Sequence, residues 1–288
     1  METDLLILED LSAQEIDYFN QIIAACNSDD GTGYQFDSMD DFTVRGNPNY
    51  FLLFEQEKPV SAVYLFTPRA DEAEVYAFTL PSFRRKGYIT YLLESVKKEL
   101  KRRGTPSILY VCDSRSCSGT AFLERQGLTV EFSENAMTWE PPLKPLRDTD
   151  IQLRRACRRD TGELARLQHR AFYEEIEHAE QIVTSFLSSP RRDLYVAVTP
   201  GDTIVGMIGR YREEGTAYIH GFTIAEAVRG RGWGRQALTR MVELCYTEDP
   251  SRPIVLEVET RNAGALALYE SCGFHVRSRF DYYRQNLT

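Results

Sequence analysis

The sequence predicts two consecutive α/β domains of one plan, each a mixed sheet covered by helices. Three observations carry this. Short apolar runs with strand-like alternation take turns with runs whose apolar spacing is three and four. A basic, glycine-containing turn opens a helix-like run in each half. The second copy follows the first at a nearly constant distance: Gly87 and Gly232 are 145 residues apart, and Gly127 and Gly273 are 146 apart. Pro141, Pro142 and Pro145 mark a linker between the copies. The expected division is a first domain over 1–140, a linker over 141–150 and a second domain over 151–288.

Taken in order, Leu5 to Leu8 reads as a strand and Ala13 to Ala25 as a helical region. Tyr50 to Glu55, Val60 to Phe66 and Glu74 to Leu80 read as three strands. The second half repeats this with Ile151 to Arg155, Thr161 to Phe172, Leu194 to Val198, Ile204 to Tyr211 and Ala217 to Ile224. A loop, a helix, a strand, a helix and a strand follow in each half. Past the loops, Tyr88, Leu92, Val96 and Leu100, and likewise Ala237, Met241 and Leu244, share one helix face and read as core. Ile254 to Thr260 alternates as a strand does. Asn262 suits a helix N-cap and Gly273 a helix terminator. Phe274 to Arg284 reads as the closing strand.

Bulk properties bound the function. Hydrophobic residues make up 42% of the 288 residues, enough for two cores, and no apolar run is long enough to suggest a membrane span. The start, Met-Glu-Thr-Asp, has no signal-peptide pattern. Six cysteines (26, 112, 117, 157, 245, 272) lack metal-ligand spacing and read as buried reduced thiols of a cytoplasmic protein without a metal. A net charge of −9 argues against nucleic acid as the main partner.

The most informative stretch is Val228 to Gly234, Val-Arg-Gly-Arg-Gly-Trp-Gly. A glycine-rich turn that opens a helix presents unsatisfied N–H groups and the positive end of the helix dipole, which makes an anion site. A nucleotide P-loop needs Gly-Lys-Ser/Thr, whereas Gly234 is followed by Arg235 and Gln236. A dinucleotide fingerprint needs its third glycine one residue later. A plain turn with solvated arginines is the remaining alternative. Arg229, Gly232 and Gly234 form Arg-x-x-Gly-x-Gly, which resembles the acyl-coenzyme A diphosphate loop of the GNAT N-acetyltransferase superfamily. Arg261 to Phe274, a short helix followed by Gly-Phe, resembles that family's second signature.

The resemblance implies tandem domains with mostly antiparallel, twisted sheets. It also implies transfer of an acyl group, acetyl by default, from coenzyme A to a small-molecule or peptide amine, by direct attack in a ternary complex. It assigns Phe222, Thr223 and Ile224 to the pantetheine arm and Arg229, Gly230, Arg231, Gly232, Trp233 and Gly234 to the diphosphate. Asn262 falls to the pantetheine arm or an ordered water, and Tyr269 to the acid that protonates the departing thiolate. Their plain readings are a helix cap for Asn262 and a core-edge ring for Tyr269. His220 stands where many members carry a glutamate base, and an imidazole titrates near neutrality. Glu257 and Glu259, out of phase with Ile254, Leu256 and Val258, are carboxylate candidates, Glu259 being the one assigned.

In the first half Ile89 replaces the last loop glycine, Leu123 replaces the tyrosine and Ser116 the asparagine, so this copy reads as degenerate. It keeps Arg84, Lys86 and Gly87. Residues 173–180, rich in glutamate, fall in the expected acceptor region and equally suit a solvated helix face. Arg191, Arg192 and Asp193 suit either an anionic acceptor or a strand entrance. A monomer or homodimer is expected. A non-catalytic acyl-coenzyme A sensor is the alternative reading.

Overall fold

The structure is a computed structural model that describes residues 3–36, 46–67, 71–143, 150–172, 175–213 and 215–287. Residues 144–149 of the expected linker, and Tyr173 and Glu174 of the expected acceptor region, lie outside them. Two compact units are present: Met1–Glu134 with Ser278–Thr288, and Asn135–Arg277.

The elements of the first half are β1 (Thr3–Leu8), α1 (Ala13–Asp30), β2 (Tyr50–Glu55), β3 (Lys58–Phe66), β4 (Glu72–Thr79), α2 (Tyr88–Arg103), β5 (Ser107–Asp113), α3 (Cys117–Arg125) and β6 (Val130–Trp139). Those of the second are β7 (Gln152–Arg155), α4 (Thr161–Phe172), α5 (Ile176–Ser188), β8 (Arg192–Val198), β9 (Ile204–Glu213), β10 (Thr216–Ile224), α6 (Trp233–Glu248), β11 (Ile254–Glu259), α7 (Ala263–Ser271) and β12 (Phe274–Asn286).

In unit 1 the strand order is β1-β2-β3-β4-β5-β12. Neighbours are antiparallel except β4 and β5, so the sheet is mixed and mostly antiparallel. Local chemistry sets the boundaries. Ser12 and Glu15 form a reciprocal capping box at the start of α1, and Gly31 ends it at φ 67°. Gln56 and Glu57, both at positive φ, turn β2 tightly into β3. Along β2 alternate residues go to opposite faces. Phe51 and Leu53 meet Leu92, Val96 and Leu100 of α2, while Tyr50 and Leu52 meet Phe19, Ile22 and Cys26 of α1.

Unit 2 has the strand order β6-β11-β10-β9-β8-β7, again with a single parallel pair, β10 with β11, among the pairings described in it. Leu238, Met241 and Val242 of α6 pack on Ile219, Ile254 and Leu256, and Val183 of α5 packs on Leu194 and Val196. Helix α5 is an addition to the pattern read from the sequence, which gave the second half one helix before its central strands.

The expected divisions at 140 and 151 follow the repeat in sequence, whereas the compact units follow contacts. Asn135–Trp139 of β6 counts with unit 2, and Phe280–Asn286 of β12 pairs with β5 of unit 1. The thiols need a correction: Cys26, Cys112, Cys245 and Cys272 are buried, but Cys117 and Cys157 are exposed. No described helix is long and apolar enough to cross a membrane.

Candidate active site

Strands β10 and β11 pair only at Ala217–Ile254 and Tyr218–Val255, although they run on to Ile224 and Glu259. Beyond that point they part and leave an opening. Just there β10 carries a bulge: His220 pairs with Gly209 and Thr223 with Met207, so three steps on β10 match two on β9. Gly221 takes φ 56° within it. An extra residue reverses the in–out alternation. Tyr218 and His220 face away from α6, whereas Phe222 and Ile224 turn back toward α6 and α7.

The glycine-rich loop sits at this opening. Gly230 (φ 80°) and Gly232 (φ 78°) occupy the left-handed region that glycine favours. Gly232 is the N-cap of α6 and makes no side-chain cap, so the first N–H groups of that helix face outward. Arg229 Nε donates to the Ile224 carbonyl at 3.0 Å, tying the loop to β10. Arg231 is exposed over the Trp233 ring at 5.3 Å. A Cβ on Gly234 would meet Leu268 Cδ2 at 3.3 Å, with Ile224 at 3.7 Å and Phe222 at 3.9 Å. That glycine therefore also lets α6 approach α7 and β10, a packing role the sequence reading left out.

Tyr269 is buried on α7, its ring 6.3 Å from Phe222 and 6.2 Å from Phe274. Its hydroxyl has no hydrogen-bond partner among the described residues. Burial, with a smaller contribution from Cys272, pushes its pKa up to about 12. Asn262 is exposed and caps α7, its Oδ1 accepting from Ala265 N–H at 3.1 Å.

The three base candidates separate by surroundings. His220 lies across Gly209, whose added Cβ would fall 2.5 Å from the ring, and edge-on to Phe186 of α5 at 4.8 Å. Its Nε2 is sealed from solvent and lacks a partner among the described residues. Burial first, then the nearby Arg192 charge, pushes its pKa down to about 3. An imidazole so reluctant to be charged is a poor proton acceptor. Glu259 is held by Arg261, Nε to Oε1 at 2.6 Å. Glu257, reachable by solvent yet ringed by protein, accepts a 2.6 Å bond from the Tyr218 hydroxyl across the parting strands. Burial raises its pKa above the ordinary value, and the tyrosine bond offsets part of that rise. Its displacement on the edge of the opening marks it out. Glu257 and Glu259 share a phase on β11 and differ in their partners, Tyr218 for the first and Arg261 for the second.

The acceptor region resolves into plainer parts. Glu175, Glu177 and Glu180 are exposed around the start of α5. Arg192 and Asp193 are buried where β8 begins, and Asp193 is ion-paired with Arg155 and Arg210.

Unit 1 repeats the loop more closely than its sequence suggests. Arg84 Nε donates to the Thr79 carbonyl at 3.2 Å, again five residues back. Arg85 (φ 67°) and Gly87 (φ 87°) copy Gly230 and Gly232. The β3–β4 register, however, runs unbroken from Phe66–Glu74 to Ser61–Thr79. Phe78-Thr79-Leu80, which looks in sequence like the counterpart of Phe222-Thr223-Ile224, is therefore offset from it by one. Because unit 2 carries the extra bulge residue, Ala77, Phe78 and Thr79 are the true counterparts.

Comparisons with known proteins agree with this arrangement. The family model described as the acetyltransferase (GNAT) family matches residues 16–128 and again 161–274. An N-alpha-acetyltransferase RimI of Mycobacterium tuberculosis is 37% identical over 103 residues, covering 34% of this chain and 62% of that protein. An N-alpha-acetyltransferase MAK3 of Arabidopsis thaliana is 34% identical over 84 residues, 29% of this chain and 44% of that one. The chain thus spans about half the length of these curated relatives. Among solved structures, a GCN5-related N-acetyltransferase from Sphaerobacter thermophilus superposes with a TM-score of 0.80 at 19% identity, covering 99% of this chain and 96% of the other. A tandem GNAT protein from the clavulanic acid biosynthesis pathway does so with a TM-score of 0.76 at 14% identity, covering 100% and 99%. These last two likenesses speak to the fold. With both halves matched, the chain belongs to the GNAT family of acetyltransferases as a tandem-domain member.

Proposed function

We propose that unit 2 transfers an acetyl group from acetyl-coenzyme A to a primary amine, on a small molecule or a peptide, by direct attack in a ternary complex. The observation that carries this reading is the parting of β10 from β11 beside a glycine-rich helix start, with the Tyr269 ring near Phe222 and its hydroxyl without a partner among the described residues. The diphosphate lies on the N–H groups at the start of α6, helped by Arg229 and Arg231. The pantetheine arm runs along Phe222, Thr223 and Ile224, where the parting from β11 leaves β10 backbone groups free to bond it. A backbone N–H near Ile224 polarises the thioester carbonyl. Asn262 holds the arm or a water at the start of α7.

Glu257, directly or through a water, takes the proton from the ammonium; among the three candidates it combines access with a raised proton affinity. His220 then shapes the opening as a neutral ring. The amine attacks the carbonyl, the C–S bond breaks, and Tyr269 gives its proton to the departing thiolate; the second proton, lost from the nitrogen as the amide forms, returns through water to the tyrosinate. No covalent nucleophile is needed, and the buried Cys245 and Cys272 are poorly placed to be one. The two N-alpha-acetyltransferase relatives favour a peptide α-amine as the first acceptor to try. A cytoplasmic setting suits this chemistry. Unit 1 does not carry out transfer, since Ile89 and Leu123 stand where the glycine and tyrosine are needed.

Thiol release from acetyl-coenzyme A, measured against a panel of amines and N-terminal peptides, tests the proposal. Release is expected to depend on the acceptor. Tight cofactor binding without such release for any member would favour a sensor.

A further inference from the structure

Unit 1 contains a cavity of about 610 Å³ between β4, β5, α2 and α3. Its walls differ from those of the unit 2 opening at three matched positions. Ala77 stands for Phe222, Ile89 for Gly234 and Leu123 for Tyr269. The first exchange removes a phenyl ring and leaves space. The other two add aliphatic surface, and Leu123 also removes the hydroxyl. Val75, Phe83 and Phe122 extend the apolar lining.

Most polar side chains along the wall are already engaged with the protein. Thr79 Oγ1 meets Ser61 Oγ at 2.8 Å. The Tyr110 hydroxyl donates to Gln285 Oε1 at 2.8 Å. The Tyr34 hydroxyl donates to the Val111 carbonyl at 3.3 Å and accepts from Asp113 N–H at 2.5 Å. Most telling is Arg84, the counterpart of Arg229. Asp29 and Asp30, at the end of α1, each hold its guanidinium at 2.9 Å, and Ser116 donates to Asp30 at 3.1 Å. Two carboxylates thus neutralise the guanidinium, and their charge repels a diphosphate. The cations left over, Arg85 and Lys86, are exposed, and Lys86 lies on the Phe83 ring at 4.5 Å. Solvated charges of that kind attract an anion weakly.

The geometry points to the unit 1 cavity as a binding site for an uncharged small molecule with a largely apolar body, from which coenzyme A is excluded by the Asp29–Arg84–Asp30 clasp. Its volume is in the range of ordinary small-ligand pockets, and the polar side chains named above already have partners in the protein, so apolar surface can be buried against them at little cost. The inference concerns unit 1 alone, so it stands or falls separately from the chemistry proposed for unit 2.

The test is a fluorescence titration of the full chain with N-phenyl-1-naphthylamine, an uncharged aromatic probe. Saturable binding is expected, with affinity falling at least roughly tenfold in Ala77→Phe, which installs the ring unit 2 carries. Ile89→Trp, made on the partly exposed first turn of α2, fills the cavity from the other wall and gives the same loss if Ala77→Phe does not fold. Excess coenzyme A leaves the unit 1 signal in place. With Asp29→Asn and Asp30→Asn together, coenzyme A begins to compete. The proposal is overturned by the absence of saturable binding, by unchanged affinity in the folded variants, or by displacement of the probe from the unaltered chain by coenzyme A.

Discussion

Tyr269 keeps its proton at every ordinary pH because its ring is buried, and it keeps its hydroxyl unspent among the described residues. Tyr269→Phe leaves the ring against Phe222 and Phe274 and removes only the donor. Turnover should fall about 10²-fold while acetyl-coenzyme A affinity stays within about twofold. Steady-state kinetics beside a binding titration separate the two, and equal losses in both would make the hydroxyl a binding group. Glu257 carries the matching prediction for the base. Its pKa is raised, so kcat/KM should climb with pH through a value above the ordinary carboxylate range. Glu257→Gln should abolish that limb and slow transfer by about 10²-fold or more, leaving the acceptor amine's own, higher limb. A surviving lower limb would return the base to another group. His220 yields a stability prediction instead. Its folded pKa is about 3, below the unfolded value near 6.5, so the unfolded chain binds the extra proton between them. The stability that His220 contributes is present above about pH 6.5 and is lost as pH falls toward about 3. His220→Gln should flatten part of that acid decline in urea titrations at stepped pH; an unchanged slope would mean that the imidazole is solvated.

At the scale of elements, the bulge in β10 decides which side chains meet. It turns Phe222 and Ile224 toward α6 and α7 and leaves Tyr218 and His220 on the other face. Two glycines of β9 make room for it. A Cβ on Gly206 would lie 2.6 Å from both Ile224 Cδ1 and the Thr223 carbonyl, and the backbone atom cannot swing away. Gly206→Ala should therefore cost unit 2 about 1–3 kcal/mol and lower acetyl-coenzyme A affinity with it, read by denaturant unfolding and a binding titration. An affinity that held while stability fell would detach the bulge from the cofactor. This element also bounds what the sequence could reveal. Strand and helix positions were legible because Leu92, Val96 and Leu100, or Ile254, Leu256 and Val258, repeat with the period of the surface they bury. The loop was legible because positive φ favours glycine at 230 and 232. The bulge was not, since one inserted residue leaves no periodic trace, and so Phe78 looks in sequence like the counterpart of Phe222 although Ala77 holds that place. Nor was the difference between Glu257 and Glu259, which have the same phase on β11 and are told apart only by Tyr218 and Arg261.

On the scale of the whole molecule, the repeat is clear in sequence, but the use of each copy depends on contacts between residues far apart. The Asp30–Arg84 pair links positions 54 residues apart, and no local pattern announces it. Two copies of one loop backbone thus have different charge surroundings: each arginine is tied to the carbonyl five residues back, but Arg84 is also clasped by Asp29 and Asp30. The account predicts one equivalent of acetyl-coenzyme A per chain by calorimetry, where two equivalents would place the cofactor in both units. The central claim is that the unit 2 opening performs amine-dependent acyl transfer from the loop at 229–234. Its most direct test is acceptor-dependent thiol release by the unaltered chain and by Gly234→Val, whose branched side chain projects between the loop, Phe222 and Leu268. The account predicts release with at least one amine and a fall of tenfold or more, by order of magnitude, in kcat/KM for acetyl-coenzyme A in the variant. Undiminished release by a folded Gly234→Val would contradict it.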